Sequence, residues 1–201
     1  MKRFLSALCV LILPFFLNTC AYAPPAAPPD YLGAMEQAAI CGDTEAGHLA
    51  EYARNHQIDE TGSGEVKVSF DDLFLLSRLI QTEAGSRRVS DTQRMCVGEL
   101  VLNRVLSPEY PDTLEAVVYQ EGQFEAAGTR AFKQSVLPSK ACVQAAMRLL
   151  LGERVLEPQV VIRSDRAQGE VYAKFCRREG FEYVYTYFCA SPNAELYSPL
   201  H

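Results

Sequence analysis

The sequence has few of the side chains that bind metals or act as enzyme nucleophiles. Its 201 residues include only three histidines, His48, His56 and His201, and no Cys-x-x-Cys pair. The spacing typical of a structural zinc site is therefore missing. A Gly-x-Ser-x-Gly motif and a glycine-rich phosphate-binding loop are also missing. We expect the three histidines to lie on the surface, and we expect no cofactor.

Positive charge is also scarce. The chain has 19 Lys and Arg against 25 Asp and Glu, which gives a net charge of -6 and an isoelectric point near 5.2. This balance argues against nucleic acid or an anionic membrane as the main partner. The length and a hydrophobic content of 48% are typical of one globular domain with additional segments.

The long apolar run of the sequence is confined to its N-terminus. Lys2 and Arg3 precede an apolar stretch over 4–17, and Ala21-Tyr22-Ala23 has the small-x-small form of a cleavage site. The stretch is short for a transmembrane helix. These features predict a signal peptide over 1–23 and an exported protein. Because proline follows the cleavage site directly, a lipoprotein anchored through Cys20 is the alternative, and membrane contact is expected only through the leader or such a lipid.

Five cysteines remain after the leader is removed, and export permits disulfides. An odd number leaves at least one thiol free or paired with another chain. Cys96 and Cys142 lie in apolar helical patterns and are expected to be buried thiols. Cys176 and Cys189 flank a predicted hairpin and are the expected bridge.

Capping and periodicity signals divide the rest of the chain. A proline-rich tether and a helical segment broken near Cys41-Gly42-Asp43 are predicted over 24–66, followed by a compact domain over 67–201. In that domain, Ser69 with Asp72 and Ser90 with Gln93 predict two helix starts. A short helix is expected to open at 112–115, and a long loop is expected over 121–137.

The C-terminal third is rich in β-branched and aromatic residues, which predicts strands over 155–162, 171–175 and 183–189. Helices followed by a small sheet indicate an α+β fold that is mostly helical, with a short C-terminal antiparallel sheet. Tyr183, Tyr185 and Tyr187 alternate and should share one face, either as a platform for sugars or as cross-strand packing.

Glu83 is the leading candidate for a catalytic acid. It lies three residues after Ile80 and four after Leu79, so it continues the apolar face of its predicted helix. Burial disfavours the charged form of a carboxyl, and a carboxyl kept protonated near neutral pH can act as a general acid. The alternative is a solvated residue at the helix end.

Glu99 is the candidate for a second carboxylate. It lies four residues after Met95 and three before Leu102, beside the apolar stripe of the next helix. Cleavage of a glycosidic bond needs an acid, and often a second carboxylate as nucleophile or base. The alternative role for Glu99 is a structural one, as a partly solvated helix residue in a salt bridge.

Groups suited to binding sugars cluster around the helix ends and the long loop. Sugar rings are bound by flat apolar faces and by amide or guanidinium hydrogen bonds. The candidates for substrate binding are Asn103, Arg104, Tyr119, Gln123 and Phe124.

Four segments in close succession resemble a known family. They are Leu-Ile-Gln-Thr-Glu-Ala-Gly over 79–85, Val-Gly-Glu-Leu-Val-Leu-Asn-Arg-Val over 97–105, Ser-Pro-Glu-Tyr-Pro-Asp-Thr over 107–113, and Val-Val-Tyr-Gln-Glu-Gly-Gln-Phe over 117–124. Together they resemble the SleB/CwlJ cell-wall hydrolases, the spore cortex-lytic enzymes, with a likeness that extends over about 68–190.

The resemblance implies a lysozyme-like domain that cleaves peptidoglycan of the cell wall or spore cortex, with Glu83 as general acid. It implies a glycosidase, either a lytic transglycosylase or a muramidase, that acts on peptidoglycan glycan strands in the cell envelope. The family's usual Gly-Asn-His segment before Phe-Tyr has no counterpart here, and Gly85-Ser86-Arg87 stands where Arg-Gly-Glu is common. The alternative is a non-catalytic protein of the wall or spore coat that retains the fold.

Overall fold

The structure is a computed structural model that describes residues 29–193 and 195–197. The predicted leader, Cys20, nearly all of the proline-rich tether and His201 lie outside the described residues.

The described residues form an α+β fold that is mostly helical, as predicted. Its α-helices are α1 (Tyr31–Cys41), α2 (Thr44–Thr61), α3 (Phe70–Ala84), α4 (Asp91–Leu106), α5 (Leu114–Val118), α6 (Arg130–Gln134) and α7 (Lys140–Leu150). A short 3-10 helix spans Glu125–Gly128. The strands are β1 (Val160–Ser164), β2 (Val171–Glu179) and β3 (Glu182–Ala190).

Side-chain caps set the starts of the two central helices. The hydroxyl of Ser69 accepts the N–H of Asp72, and the hydroxyl of Ser90 accepts the N–H of Gln93. Both predicted starts are confirmed. The caps stabilise the helix starts because they satisfy backbone N–H groups that have no partner within the helix. The short helix α5 begins slightly later than predicted, since Thr113 is its cap.

The predicted loop over 121–137 is in fact partly helical. It contains the 3-10 turn and α6, and Phe132 from α6 is almost fully buried. Elements of four or five residues are too short to show a helical period in sequence. The buried aromatic ring, which depends on long-range packing, holds this segment in place.

The three strands form one antiparallel sheet in the order β1-β3-β2. The first strand begins at Val160 and not at the predicted 155. The amides of Val155 and Leu156 are bonded to the Glu99 carboxylate instead of to a neighbouring strand.

The two faces of the sheet differ in chemistry. Arg163 of β1 is the cross-strand partner of Phe188, so both side chains lie on one face. Phe188 is fully buried and its ring meets that of Phe175 edge-on at 5.9 Å between centroids. This face therefore packs against the helices.

The opposite face carries the alternating tyrosines. Tyr183, Tyr185 and Tyr187 share it, as their spacing predicted. The Lys174 ammonium lies 4.5 Å from the ring centroid of Tyr185 and 5.1 Å from that of Tyr187. Hydrogen bonding to Tyr187 is the main cause that raises the pKa of Lys174.

One continuous core joins the helices. α3 lies at its centre and contacts α1, α2, α4, α5 and α7. Met35 and Ala39 of α1 belong to the same buried cluster as Leu76 and Leu79 of α3. The helices of the predicted N-terminal segment therefore pack directly onto the rest of the fold.

The expected bridge between Cys176 and Cys189 is absent, and both thiols are free. Cys176 lies opposite Tyr185, whereas Cys189 lies opposite Val171. Along β3 four residues separate these positions, or roughly 13 Å at the rise of a β-strand. A disulfide needs Cα atoms within about 7 Å, so the hairpin register prevents the bond. Cys96 and Cys142 are buried free thiols, as predicted.

The C-terminal segment is attached to the body of the protein through Glu109. Its carboxylate accepts hydrogen bonds from Ser191, Asn193 and Tyr197, each at 2.6 Å. Desolvation raises the pKa of Glu109, but these three bonds outweigh it and the net shift is downward. The Tyr197 hydroxyl also meets Ser107, and its ring is fully buried.

We predict that Gly47→Ala destabilises the protein although alanine is the better helix former. A Cβ atom at Gly47 would lie 2.2 Å from the ring of Phe70, which is fully buried. Forcing that ring aside should lower the free energy of unfolding by about 1–3 kcal/mol in urea denaturation. The matched control is Gly128→Ala, where a Cβ meets nothing within 4 Å. Equal stability of the two variants would contradict the prediction.

Candidate active site

Glu83 lies where the central helix meets the sheet. It is the penultimate residue of α3, and its side chain is 20% exposed. Its Oε2 atom accepts a hydrogen bond from the Nη1 atom of Arg163 at 2.6 Å. The carboxylate is therefore neither buried in the core nor solvated at a free helix end, but is held across the junction between α3 and β1.

Arg163 is the bonded neighbour of Glu83 that sequence reasoning missed. Its side chain is 24% exposed, and its Nε atom is buried with no hydrogen-bond partner among the described residues. It lies 80 residues from Glu83 in sequence, and no local pattern links the two. The signal is tertiary, because it requires β1 to be placed beside the end of α3.

Arg104 is a predicted binding residue, and the structure brings it to the same region. Its Nε atom donates to the carbonyl oxygen of Val161 at 2.8 Å. Its guanidinium lies over the rings of Tyr110 and Phe124, at 4.9 Å and 5.3 Å from their centroids. Burial is the main cause that lowers the pKa of Arg104, and the positive charge of Arg163 lowers it further. Arg104 and Phe124 therefore support the strand that presents Arg163.

A shallow groove of about 280 Å³ adjoins this region. Its lining residues are Arg163, Ser164, Asp165, Arg177, Val184, Tyr185 and Thr186. Glu83 does not line the groove itself, but it is bonded to Arg163, which does. The groove offers guanidinium, hydroxyl and carboxylate groups, which are the kinds of partners that sugar hydroxyls and acidic substituents use.

Glu99 is in a different environment. Its side chain is fully buried, and Oε2 accepts the N–H groups of Val155 at 2.5 Å and Leu156 at 2.8 Å. Desolvation is the main cause that raises the pKa of Glu99, against the opposing effect of those two amides. It shares no bonded partner with Glu83 in the described part of the chain. Its contacts are those of a structural carboxylate, and a catalytic role stays a prediction.

Asn103 also binds backbone. Its Nδ2 atom donates to the carbonyl oxygens of Glu157 at 2.9 Å and Val160 at 3.2 Å. It lines a cavity of about 670 Å³ together with Leu106, Arg154, Val155, Leu156, Glu157, Pro158 and Tyr172. This cavity has no lining residue in common with the groove at Arg163.

Tyr119 and Gln123 have no contact with Glu83 or Arg163 among those the structure gives for the described residues. The Tyr119 ring meets that of Phe132 edge-on, and the Lys133 ammonium lies 5.2 Å from its centroid. Tyr119 lines a third cavity, together with Arg78 of α3. Gln123 is exposed, and its N–H closes a turn onto the carbonyl oxygen of Gln120. The substrate-binding roles of both residues stay predictions.

Between residues 29 and 197, leaving out 194, no group of three or more His, Cys, Asp or Glu residues is placed to hold a metal ion. The helices of that same part of the chain are all too short or too polar to cross a bilayer.

We predict that Glu99→Ala is strongly destabilising. It leaves two backbone N–H groups without an acceptor and opens a cavity beside α4, so the free energy of unfolding should fall by about 2–4 kcal/mol in urea denaturation. Glu99→Gln keeps one acceptor oxygen for both amides and should lose less than Glu99→Ala. If Glu99→Ala were as stable as the wild type, the carboxylate would have no structural role.

Comparison with known proteins points to the cell wall. Residues 90–160 match the family described as Cell Wall Hydrolase, and this match spans about a third of the chain. It includes Glu99, Asn103 and Arg104, begins after Glu83 and ends before Arg163. No curated protein and no solved structure shows significant similarity. The chain is thus similar to cell wall hydrolases from α4 to the first residue of β1, which supports an enzyme that degrades peptidoglycan.

Proposed function

We propose that the protein is an exported peptidoglycan glycosidase in which Glu83 acts as both general acid and general base. The observation that carries the proposal is the bond between Glu83 and Arg163 where α3 meets β1, beside a polar groove. The match to cell wall hydrolases supports the substrate class, although it does not include Glu83.

In the first step, Glu83 protonates the glycosidic oxygen of the leaving sugar, and the bond from that oxygen to the anomeric carbon breaks. Arg163 engages Oε2, and no hydrogen bond within the described residues engages Oε1. Oε1 is therefore the oxygen available to the substrate. The guanidinium fixes the orientation of the carboxyl, and it stabilises the carboxylate that remains once the proton has been transferred.

In the second step, the Glu83 carboxylate takes a proton from the 6-hydroxyl group of the muramic acid residue. The resulting oxygen attacks the anomeric carbon of the same sugar, which gives a 1,6-anhydro end and restores protonated Glu83. This lytic transglycosylase route needs a single carboxylate, and Glu83 is the one at the helix–sheet junction.

A muramidase route would use water as the nucleophile and a second carboxylate as base or nucleophile. Asp165 is exposed and lines the groove with Arg163, so it is better placed for this role than the buried Glu99. Sequence reasoning did not single out Asp165, since an exposed aspartate between strands has no distinctive pattern.

The alternative from another class is a non-catalytic protein of the wall or spore coat. A protein of that kind has no need for a carboxyl oxygen beside a polar groove that no hydrogen bond from the described residues engages. Glu83 is largely shielded and held by Arg163 instead of facing bulk water, which favours the enzyme.

The narrower assignments are part of the same proposal. The four sequence segments over 79–124 favour a SleB/CwlJ-type enzyme, with spore cortex as one substrate. The apolar run over 4–17 favours export through a signal peptide over 1–23, with a lipid anchor at Cys20 as the alternative.

We predict that Glu83→Gln lowers the rate of clearing of purified walls by at least ~100-fold, because it removes the transferable proton and keeps the size of the side chain. Its melting temperature should stay within a few degrees of the wild type, since one partly exposed ion pair contributes about 1 kcal/mol or less. Glu121→Gln, at an exposed position in the loop, is the matched control and should clear walls normally. Near-normal clearing by Glu83→Gln would refute the assignment.

The ends of the soluble fragments distinguish the two routes. We predict 1,6-anhydro-muramic ends, which have no reducing sugar, so borohydride should leave their mass unchanged in mass spectrometry. Glu99→Gln and Asp165→Asn should then each retain activity within about tenfold of the wild type. Fragments that gain two hydrogens on reduction, together with a large loss of activity in Asp165→Asn, would instead establish hydrolysis with two carboxylates.

A further inference from the structure

Arg78 is a buried charge with no hydrogen-bond or ion-pair partner among the described residues. It lies in the middle of α3 and is 9% exposed. No hydrogen bond or ion pair from the described residues engages its guanidinium, and its Nε atom is fully buried. A buried cation costs free energy unless it is paired, so an unpaired one needs a reason. A ligand that is bound only during function is such a reason.

Aromatic rings lie against the guanidinium of Arg78, so only the N–H groups at the edge of its plane are available to a ligand. Its guanidinium carbon lies 4.7 Å from the ring centroid of Phe132 and 5.2 Å from that of Phe74. Such cation–π contacts offset part of the cost of burial but satisfy none of the N–H donors, which lie in the guanidinium plane. Those donors remain available to an acceptor that enters from outside.

Arg78 opens onto a cavity of about 300 Å³. Its lining residues are Asp71, Asp72, Phe74, Leu75, Arg78, Glu115 and Tyr119. The volume suits a group the size of one amino acid. The cavity therefore combines an unpaired guanidinium with three carboxylates that do not bond to it.

The carboxylates form a negative region of their own. Asp71 is bonded to His48 at 2.9 Å. Desolvation is the main cause that raises the pKa of Asp72, and the negative charges of Asp71 and Glu51 raise it further. Asp71 and Asp72 therefore repel each other at the cavity, and a cation placed beside them would relieve this repulsion.

We propose that this cavity binds a zwitterionic amino-acid group, with its carboxylate on Arg78 and its ammonium on the carboxylates of Asp71, Asp72 and Glu115. A simple anion would be repelled by the three carboxylates, and a metal ion would be repelled by the guanidinium. A ligand that carries an ammonium and a carboxylate on one carbon complements both the carboxylates and the guanidinium of the cavity. Tyr119 adds a hydroxyl at the rim.

The source of this group follows from the proposed function, on which this step alone rests. Peptidoglycan stems carry short peptides, and a diamino acid in such a stem can present a free ammonium and a carboxylate on the same carbon. Binding it would hold the peptide while Glu83, five residues further along the same helix, acts on the glycan.

The test is isothermal titration of the mature protein with meso-diaminopimelate. We expect saturable binding at one site, and at least ~30-fold weaker binding to Arg78→Met. The methionine keeps apolar packing between the two rings, and its melting temperature should be unchanged or higher because a buried unpaired charge has been removed. A purely structural arginine would instead be destabilised by the substitution, with binding unaffected. Absence of saturable binding to the wild type would overturn the proposal.

Two further measurements sharpen the result. Diaminopimelate acetylated on both amines should bind at least ~10-fold more weakly, and equal binding would overturn the ammonium contact. Asp72→Asn should also weaken the binding of unmodified diaminopimelate. This variant tests the site even if Arg78→Met does not fold. Glu83→Gln should bind like the wild type, so loss of wall clearing and loss of binding report on the two proposals separately.

Discussion

The attachment of β1 to α4 is the interaction on which the candidate active site depends. Three polar side chains of α4, Glu99, Asn103 and Arg104, each bind the backbone of the segment 155–161. All three are buried, so their polar atoms exchange water for these backbone groups. These three side chains fix the start of the sheet relative to the helices. Arg163 can reach Glu83 because β1 is held in this position.

This attachment explains why two glutamates in neighbouring helices have such different properties. Glu99 is enclosed beneath the segment it binds, and its carboxylate is committed to backbone amides. Glu83 lies at a helix end, where the core stops and the edge of the sheet begins. The first is suited to holding the fold together, and the second is suited to chemistry that needs both orientation and access.

α3 joins the two proposed functions of the protein. Its apolar residues occupy the centre of the core, which makes the helix a rigid support. Arg78 projects toward α6 and the cavity beside α5, while Glu83 projects toward β1. Under the two proposals, one helix would bind both the glycan and its attached peptide. The separation of Arg78 and Glu83 stays constant because the sides of the helix are buried.

Local sequence signals determined much of this architecture. The caps at Ser69 and Ser90, the break after Cys41 and the alternating tyrosines act through near neighbours, and they predicted helix starts, faces and the α+β class. Tertiary structure alone decided that Glu99 is buried under 155–156, that Cys176 and Cys189 stay apart, and that Arg163 meets Glu83. Each of these depends on the register or docking of strands distant in sequence, and no local propensity encodes the position of a partner 56 or 80 residues away.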